Sequence, residues 1–370
     1  MPLSNVQPDN YEAILSTKIA SVLENFRALN APEPEIFPSP SQDFRLRAEF
    51  RLWHEGDDLN YVMFRSDDRK TPVVINDFPI ACNAIRTLMP TLLDRLKASH
   101  VLRHKIFQIE FLSTLSGDML VTLIYHRALG DDWHSEAAQL ATTLDVQLIG
   151  RSRKQKRVIG RDWVDECLTI DGREYHYRQP EQAFTQPNGH VNQHMIGWAL
   201  KYARPLGGDL LELYCGIGNF TLPLAQAFNT VIATELSKVA TAAAEFNRQT
   251  NKISNVEFAR LSAEDMSSAL AGDRPFRRLA HLKHALADYS LNTLLVDPPR
   301  AGLDEKTLSL AAQFDNIIYI SCNPSTLITN LGTLKHTHSI EKLAFFDQFP
   351  YTHHLECGVI LRRRNESTTD

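Results

Sequence analysis

Apolar positions along this chain fall into two regimes. Between residues 43 and 178 they form short runs: FRLRAEFRLW, NYVMF, KIFQIEFL, DMLVTLIYH, VQLIG and KRVIG. β-Branched and aromatic residues dominate these runs, so each predicts a strand. Helical spacing interrupts them near 82–99 and 134–144. From about 182 the runs LLELY, VIATE, NVEFA, TLLVD, IIYIS and GVILR alternate with helical stretches such as SKVATAAAEFNRQT. That alternation predicts a parallel, doubly wound sheet, with GVILR as an antiparallel addition. Ahead of both regimes, Tyr11, Ile14, Leu15, Ile19, Val22, Leu23 and Phe26 share one face of a helix over 11–29. The segment PEPEIFPSP, 32–40, reads as a connector, because proline cannot continue a helix.

The expected fold class is α/β. Residues 1–40 form a helix and a Pro-rich connector, residues 41–180 an α+β, mostly antiparallel domain, and residues 181–370 a Rossmann-like domain. The tail NESTTD is expected to lack structure.

Composition narrows the function classes. The chain has 370 residues, 43% hydrophobic, with a formal net charge of -5. A nucleic-acid partner would therefore need a local basic patch. The five cysteines, Cys82, Cys167, Cys215, Cys322 and Cys357, are scattered, without a CxxC pair. Zinc and iron–sulfur sites thus lack their usual spacing, and free thiols suit a reducing, cytoplasmic compartment. Neither a secretory signal nor a membrane-spanning run is read in the sequence.

The chemistry gathers where the later strands end. LLELYCGIGNF, 210–220, leads from a strand into Gly216 and Gly218, and ligands bind outside the carboxyl ends of such strands. Thr221 stands where the dinucleotide fingerprint requires a third glycine, which argues against NAD. Glu235, closing VIATE, is placed for a ribose diol. Asp297, in VDPPR, ends another strand at the same face. A structural turn is the alternative for each.

Cys322 follows IIYIS, with Asn323 as helix cap and Pro324 as first helical residue. A helix N-terminus favours thiolate, so Cys322 is a candidate nucleophile, with a packed core thiol as the alternative. Glu356, in HHLECG, is a candidate base. Zinc held by His353, His354 and Cys357 is a rival reading, weakened because adjacent histidines rarely converge on one ion. Cys215 and Cys357 read as packing residues.

RSRKQKRVIGR, 151–161, holds six basic residues and no acid, and such a run either neutralises phosphates or is simply solvated. In FRLRAEFRLW a period of two sets Arg45, Arg47 and Arg51 on one face. Phe107 and His126 are possible stacking residues.

Taken together, CGIGNF, FTQPN, VDPPR, SCNP and DQFPYTHHLECG resemble the RNA uracil-5-methyltransferases, and FRLRAEFRLW and KIFQIEFL extend the resemblance into the N-terminal half. The resemblance implies S-adenosylmethionine as cofactor, held by Gln186, Tyr214, Asn219, Glu235 and Asp297 with Gly216 in the loop. It implies Cys322 as the nucleophile that adds at uracil C6 and Glu356 as the proton acceptor. The substrate would be the T-loop uridine of tRNA, uridine 54, flipped out of its stack. Arg47, Arg51, Arg153, Lys154 and Arg300 are the candidate RNA contacts. No metal, iron–sulfur cluster or obligate protein partner is expected. Ribosomal RNA enzymes of this kind usually carry an extra RNA-binding barrel and a cysteine-ligated cluster. This chain has neither the length nor the cysteines, which favours the tRNA enzyme over the ribosomal one; uracil-5 methylation of ribosomal or other T-loop-like RNA such as tmRNA is the alternative. RNA cytosine-5 methylation and a tRNA-folding role to which methylation is secondary are further rivals.

Overall fold

The structure is a computed structural model that describes residues 5–56, 58–65, 68 and 70–364. The tail expected to lack structure, 365–370, lies outside the described residues. Helix α1 (Tyr11–Arg27) is followed by β1 (Glu35–Phe37), β2 (Arg47–Glu55), β3 (Asp58–Phe64), β4 (Pro72–Val74), α2 (Asn83–Ala98) and α3 (His100–Arg103). Next come β5 (Ile106–Ser113), β6 (Met119–Tyr125), α4 (Asp131–Leu144), β7 (Gln147–Ser152), β8 (Gln155–Ile159), β9 (Trp163–Ile170) and β10 (Arg173–Pro180). The remainder holds α5 (Gly189–Ala203), β11 (Asp209–Leu213), α6 (Thr221–Leu224), β12 (Thr230–Thr234), α7 (Lys238–Thr250), β13 (Val256–Ala259), α8 (Ala263–Leu270) and β14 (Leu291–Val296). Then follow α9 (Glu305–Ala311), β15 (Asn316–Ser321), α10 (Pro324–Leu334), β16 (His338–Phe346) and β17 (Glu356–Arg363).

The chain forms two compact units. The described residues of 1–11, 40–167 and 178–190 make the first, and those of 12–39, 168–177 and 191–370 the second. In the first, seven strands run in the order β4-β3-β2-β5-β6-β7-β8. Their pairings are antiparallel except β6–β7, which is bridged by α4 and parallel. The alternation in β2 holds: Ala48, Phe50 and Leu52 are buried while Glu49 and Arg51 face solvent. Phe50 meets Tyr61, Phe78 and Phe111 edge-on at 5.1–6.2 Å, forming an aromatic core.

The second unit carries an eight-stranded sheet in the order β1-β16-β17-β15-β14-β11-β12-β13. Strands β11 to β15 are parallel to their neighbours among themselves, whereas β17 runs antiparallel to both β15 and β16. The central strands are buried on both faces, as Leu294–Val296 and Ile317–Ile320 show, because helices cover each side of such sheets. The GVILR strand is thus the antiparallel member that its position suggested.

One expectation needs correction. The connector 32–40 contains β1, which pairs in parallel with β16 through Glu35–Ala344, Ile36–Phe345 and Phe37–Phe346. Phe37 stacks on Phe346 at 4.8 Å, and the Glu35 carboxylate accepts from Trp198 Nε1, Lys201 Nζ and Tyr202 Oη. Prolines on either side fix an extended backbone, which an edge strand accommodates. Strands β4, β9, β10 and β16 also went unanticipated, since their runs are short or mix polar residues.

Candidate active site

The site lies at the carboxyl ends of β11, β12, β14 and β15, where β17 begins. Strand β15 pairs with β17 up to Ser321–Cys357. One further step of that register sets Cys322 across from Glu356, and facing residues in antiparallel strands lie about 4.5–5.5 Å apart at Cα. Asn323 caps α10 by accepting from the Ser325 amide at 3.1 Å, and Pro324 is its first residue, as the sequence predicts.

The electrostatics differ from expectation. The Cys322 thiol is pushed up to about 11, first by burial and then by Glu356 and Asp297, with Arg300 acting in the opposite direction. The helix terminus does not outweigh desolvation and two neighbouring carboxyls. Glu356 is held well above the usual carboxylate range by burial and Asp297, with Arg300 opposing. Its Oε2 is buried without a partner among the described residues. Asp297, directly after β14, is raised to about 7 by desolvation.

Arg300 is exposed and its guanidinium meets the His354 ring at 3.3 Å. Its carbonyl accepts from Asn323 Nδ2 and Thr326 Oγ1, tying the DPPR turn to the start of α10. His353, His354 and Cys357 do not bring three ligand atoms together among the described residues, and Cys215 and Cys357 are buried.

The glycine loop begins at Tyr214, whose φ of 63° is left-handed. Such strain in a non-glycine residue clusters at ligand sites. Gly216 and Gly218 continue with φ of 56° and 88°. The Gly216 amide donates to Glu235 Oε2 at 3.1 Å, and Glu235 Oε1 accepts from the Ser237 amide at 2.6 Å. Glu235 therefore ties the loop to the start of α7. Asn219 exchanges two amide hydrogen bonds with Asn192 of α5, both 2.9 Å, so its side chain braces the loop from behind. Beside this loop, Glu212 is a residue that sequence reasoning missed. It is buried on β11 and raised to about 8 by burial and Asp297, partly offset by Thr221. An acid inside the apolar run LLEL was the available signal.

Residues of the first unit are described apart. Gln186 has a buried Oε1 without a partner among the described residues. Arg47 donates to the carbonyls of Ala183 and Glu181, at 3.1 and 2.6 Å, which makes it a backbone brace rather than an open cation. Arg51 is exposed, 5.1 Å over the Phe107 ring, and Phe107 stacks on exposed His126 at 3.9 Å and 13°. Of the six bases in 151–161, four are committed: Arg151 and Lys156 to Glu181, Arg157 to Asp131, and Arg161 to Asp118 and Asp165. Arg153 and Lys154 project from the β7–β8 turn with no carboxylate partner among the described residues.

The strand order, the single antiparallel strand and the glycine loop braced by an acid from the next strand define a doubly wound methyltransferase unit. A solved tRNA (uracil-54, C5)-methyltransferase of Pyrococcus abyssi, in complex with S-adenosyl-L-homocysteine, shares the fold with a TM-score of 0.72 at 21% identity, over 95% of this chain and 83% of that one. The family model for tRNA (Uracil-5-)-methyltransferase matches residues 10–364. A protein of Azoarcus sp. (strain BH72) named tRNA/tmRNA (uracil-C(5))-methyltransferase is 52% identical over 363 residues, 98% of this chain and 99% of its own length. One of Cellvibrio japonicus with the same name is 52% identical over 354 residues, 96% of each chain. The chain belongs to the tRNA (uracil-5-)-methyltransferase family, and it is an enzyme.

Proposed function

We propose that this enzyme transfers a methyl group from S-adenosylmethionine to C5 of uridine 54 in the tRNA T loop. The observation that carries the reading is the register that faces Cys322 with Glu356, beside Asp297 and Arg300. The donor set suits the cofactor: Glu235 offers a carboxylate at the loop for a ribose, and Leu236 and Val239 beside it are exposed apolar surface. Tyr214, Gly216, Asn219 and Asp297 complete the set. When bound, S-adenosylmethionine supplies an electrophilic methyl group for C5.

The chain's own residues do the rest. Cys322 gives its proton to solvent, and Arg300 favours the resulting thiolate. Sulfur bonds to C6 of the flipped uracil, and the displaced electrons make C5 nucleophilic. After methylation, Glu356 takes the C5 proton. The C–H electrons form the C5–C6 double bond as the C6–S bond breaks and returns the thiolate. This work falls in the cytoplasm, where tRNA is processed. Exposed Arg51 and His126 flank half-buried Phe107 in a ladder suited to unstacked bases, and Arg153 and Lys154 suit phosphates. The names of the relatives support tmRNA as a second substrate.

The test is methyl transfer from labelled cofactor to unmodified tRNA, to a T-loop hairpin and to ribosomal RNA fragments, with Cys322→Ala as control. Label in 5-methyluridine at position 54 is expected; methylation of ribosomal fragments alone would overturn the reading.

A further inference from the structure

Lys18 lies on α1, far in sequence from the reacting residues, yet it is buried, with 8% exposure. Its Nζ donates to Asp347 Oδ1 at 2.5 Å, to the Phe349 carbonyl at 2.9 Å and to the His354 carbonyl at 3.1 Å. An ammonium has three donors, so all three are used. Every acceptor lies on one loop, residues 347–355, which joins the end of β16 to Glu356 at the start of β17. Burial lowers the Lys18 pKa, while Asp347, by charge and hydrogen bond, opposes the shift.

The loop is also held from outside, by the Asp347 amide on the Phe37 carbonyl at 3.0 Å and Gln348 Nε2 on Met195 Sδ at 3.4 Å, and from within. The Phe349 carbonyl also accepts from Thr352 Oγ1, and the His354 amide donates to Thr352 Oγ1. Tyr351 turns through a φ of 62°. Lys18 therefore gathers the beginning, middle and end of the loop onto one charged atom. Its last contact is two residues before Glu356, on the residue whose ring meets Arg300. Removing the ammonium would take the positive charge from beside the buried Asp347 carboxylate and one donor from each of the two carbonyls. A buried charge is costly to keep where an apolar side chain could fill the same space, which suits a role in placing the loop.

We propose that Lys18 is a positioning residue for proton removal: it holds the 347–355 loop so that the Glu356 carboxylate meets the C5 proton of the methylated adduct. This rests on the reading of Glu356 as proton acceptor. If the carboxylate is displaced, C6–S formation and methylation proceed, but the C5–H bond does not break and sulfur stays attached.

The test compares wild type, Lys18→Met, Lys18→Arg and Glu356→Gln on full-length tRNA. SDS-resistant protein–RNA adduct is counted per cofactor-binding site titrated, so that misfolded molecules drop out. Lys18→Met is expected to lower kcat about tenfold and to accumulate adduct, with KM for tRNA within about twofold of wild type. Lys18→Arg, which keeps the charge, should fall between the two. Wild-type adduct levels in Lys18→Met, or lost turnover without adduct while Glu356→Gln does accumulate it, overturn the role of Lys18. Absence of adduct in Glu356→Gln overturns the reading beneath it instead. Should Lys18→Met yield no cofactor-binding protein, Lys18→Arg decides alone: adduct above wild type supports the proposal, and wild-type levels overturn it.

Discussion

The β15–β17 pair and the β7–β8 hairpin both begin as local signals in the sequence, a cysteine before Asn-Pro and a run of six bases. In the first, strand register carries a local signal across 34 positions of sequence: once β17 pairs with β15, Cys322 and Glu356 must face each other. In the second, folding cancels most of the signal. Four of the six bases find carboxylates at Glu181, Asp162, Asp131, Asp118 and Asp165, three of which, Glu181, Asp131 and Asp118, lie far from the run in sequence. A position on a strand end is transmitted by backbone geometry. A charge is available for a partner only if the fold leaves it uncompensated, and that depends on residues the local pattern does not contain.

The comparison breaks most directly at Cys322. Cys322→Ala should abolish methyl transfer, by at least about 10⁴-fold, since a covalent nucleophile has no substitute. Retained methylation at more than a few per cent would remove the covalent route.

Next in size is Arg151→Ala on the hairpin. Glu181 is nearly buried, with 6% side-chain exposure against 26% for Arg151. Leaving that carboxylate underpaired should cost about 2 kcal/mol, discounted for the partial exposure of Arg151 and the help of Lys156. A denaturant midpoint measures it. Unchanged stability with strongly weakened RNA binding would mean that Arg151 belongs to the RNA surface after all.

Legibility followed the same division. The doubly wound sheet, the antiparallel last strand and the cap at Asn323 were readable because each rests on periodicity or on residues adjacent in sequence. Strand β1 was hidden by its flanking prolines, and its pairing with β16 spans some three hundred residues. Glu212 and Lys18 were hidden for a related reason. A single acid in an apolar strand and a single lysine on an amphipathic helix look like ordinary variation until burial shows what each touches. The thiolate favoured at Cys322 by its helix terminus is opposed by burial first and then by the charges of Glu356 and Asp297, and the sequence shows the terminus but neither of these.

That failure gives a third, smaller prediction. In the free enzyme the alkylation rate of Cys322 should rise with pH towards a midpoint near 11, because only the thiolate reacts. Glu356 raises the thiol, so Glu356→Gln should move the midpoint down and speed alkylation at pH 8. The carboxylate disfavours a second negative charge, and removing it stabilises the thiolate. A midpoint that stays put or rises on this substitution would show that burial alone sets it.

The smallest effects are expected at the tip of the hairpin, and they sharpen the comparison most finely. Among the described residues Arg153 and Lys154 have no carboxylate partner, whereas Arg157 faces Asp131 at 3.1 Å. If uncompensated charge is what reaches RNA, Arg153→Ala and Lys154→Ala should each weaken tRNA binding a few-fold. Each should also flatten the dependence of log K on log salt by about 0.9, the release expected per phosphate contact. Arg157→Ala should flatten it less, because binding through that side chain must first break its pair with Asp131. Titrations of the three variants between roughly 50 and 200 mM salt separate the two cases. Equal slopes for Arg157→Ala and Lys154→Ala would mean that the internal ion pairs open on binding, and the run would then act as the single basic surface its sequence suggests.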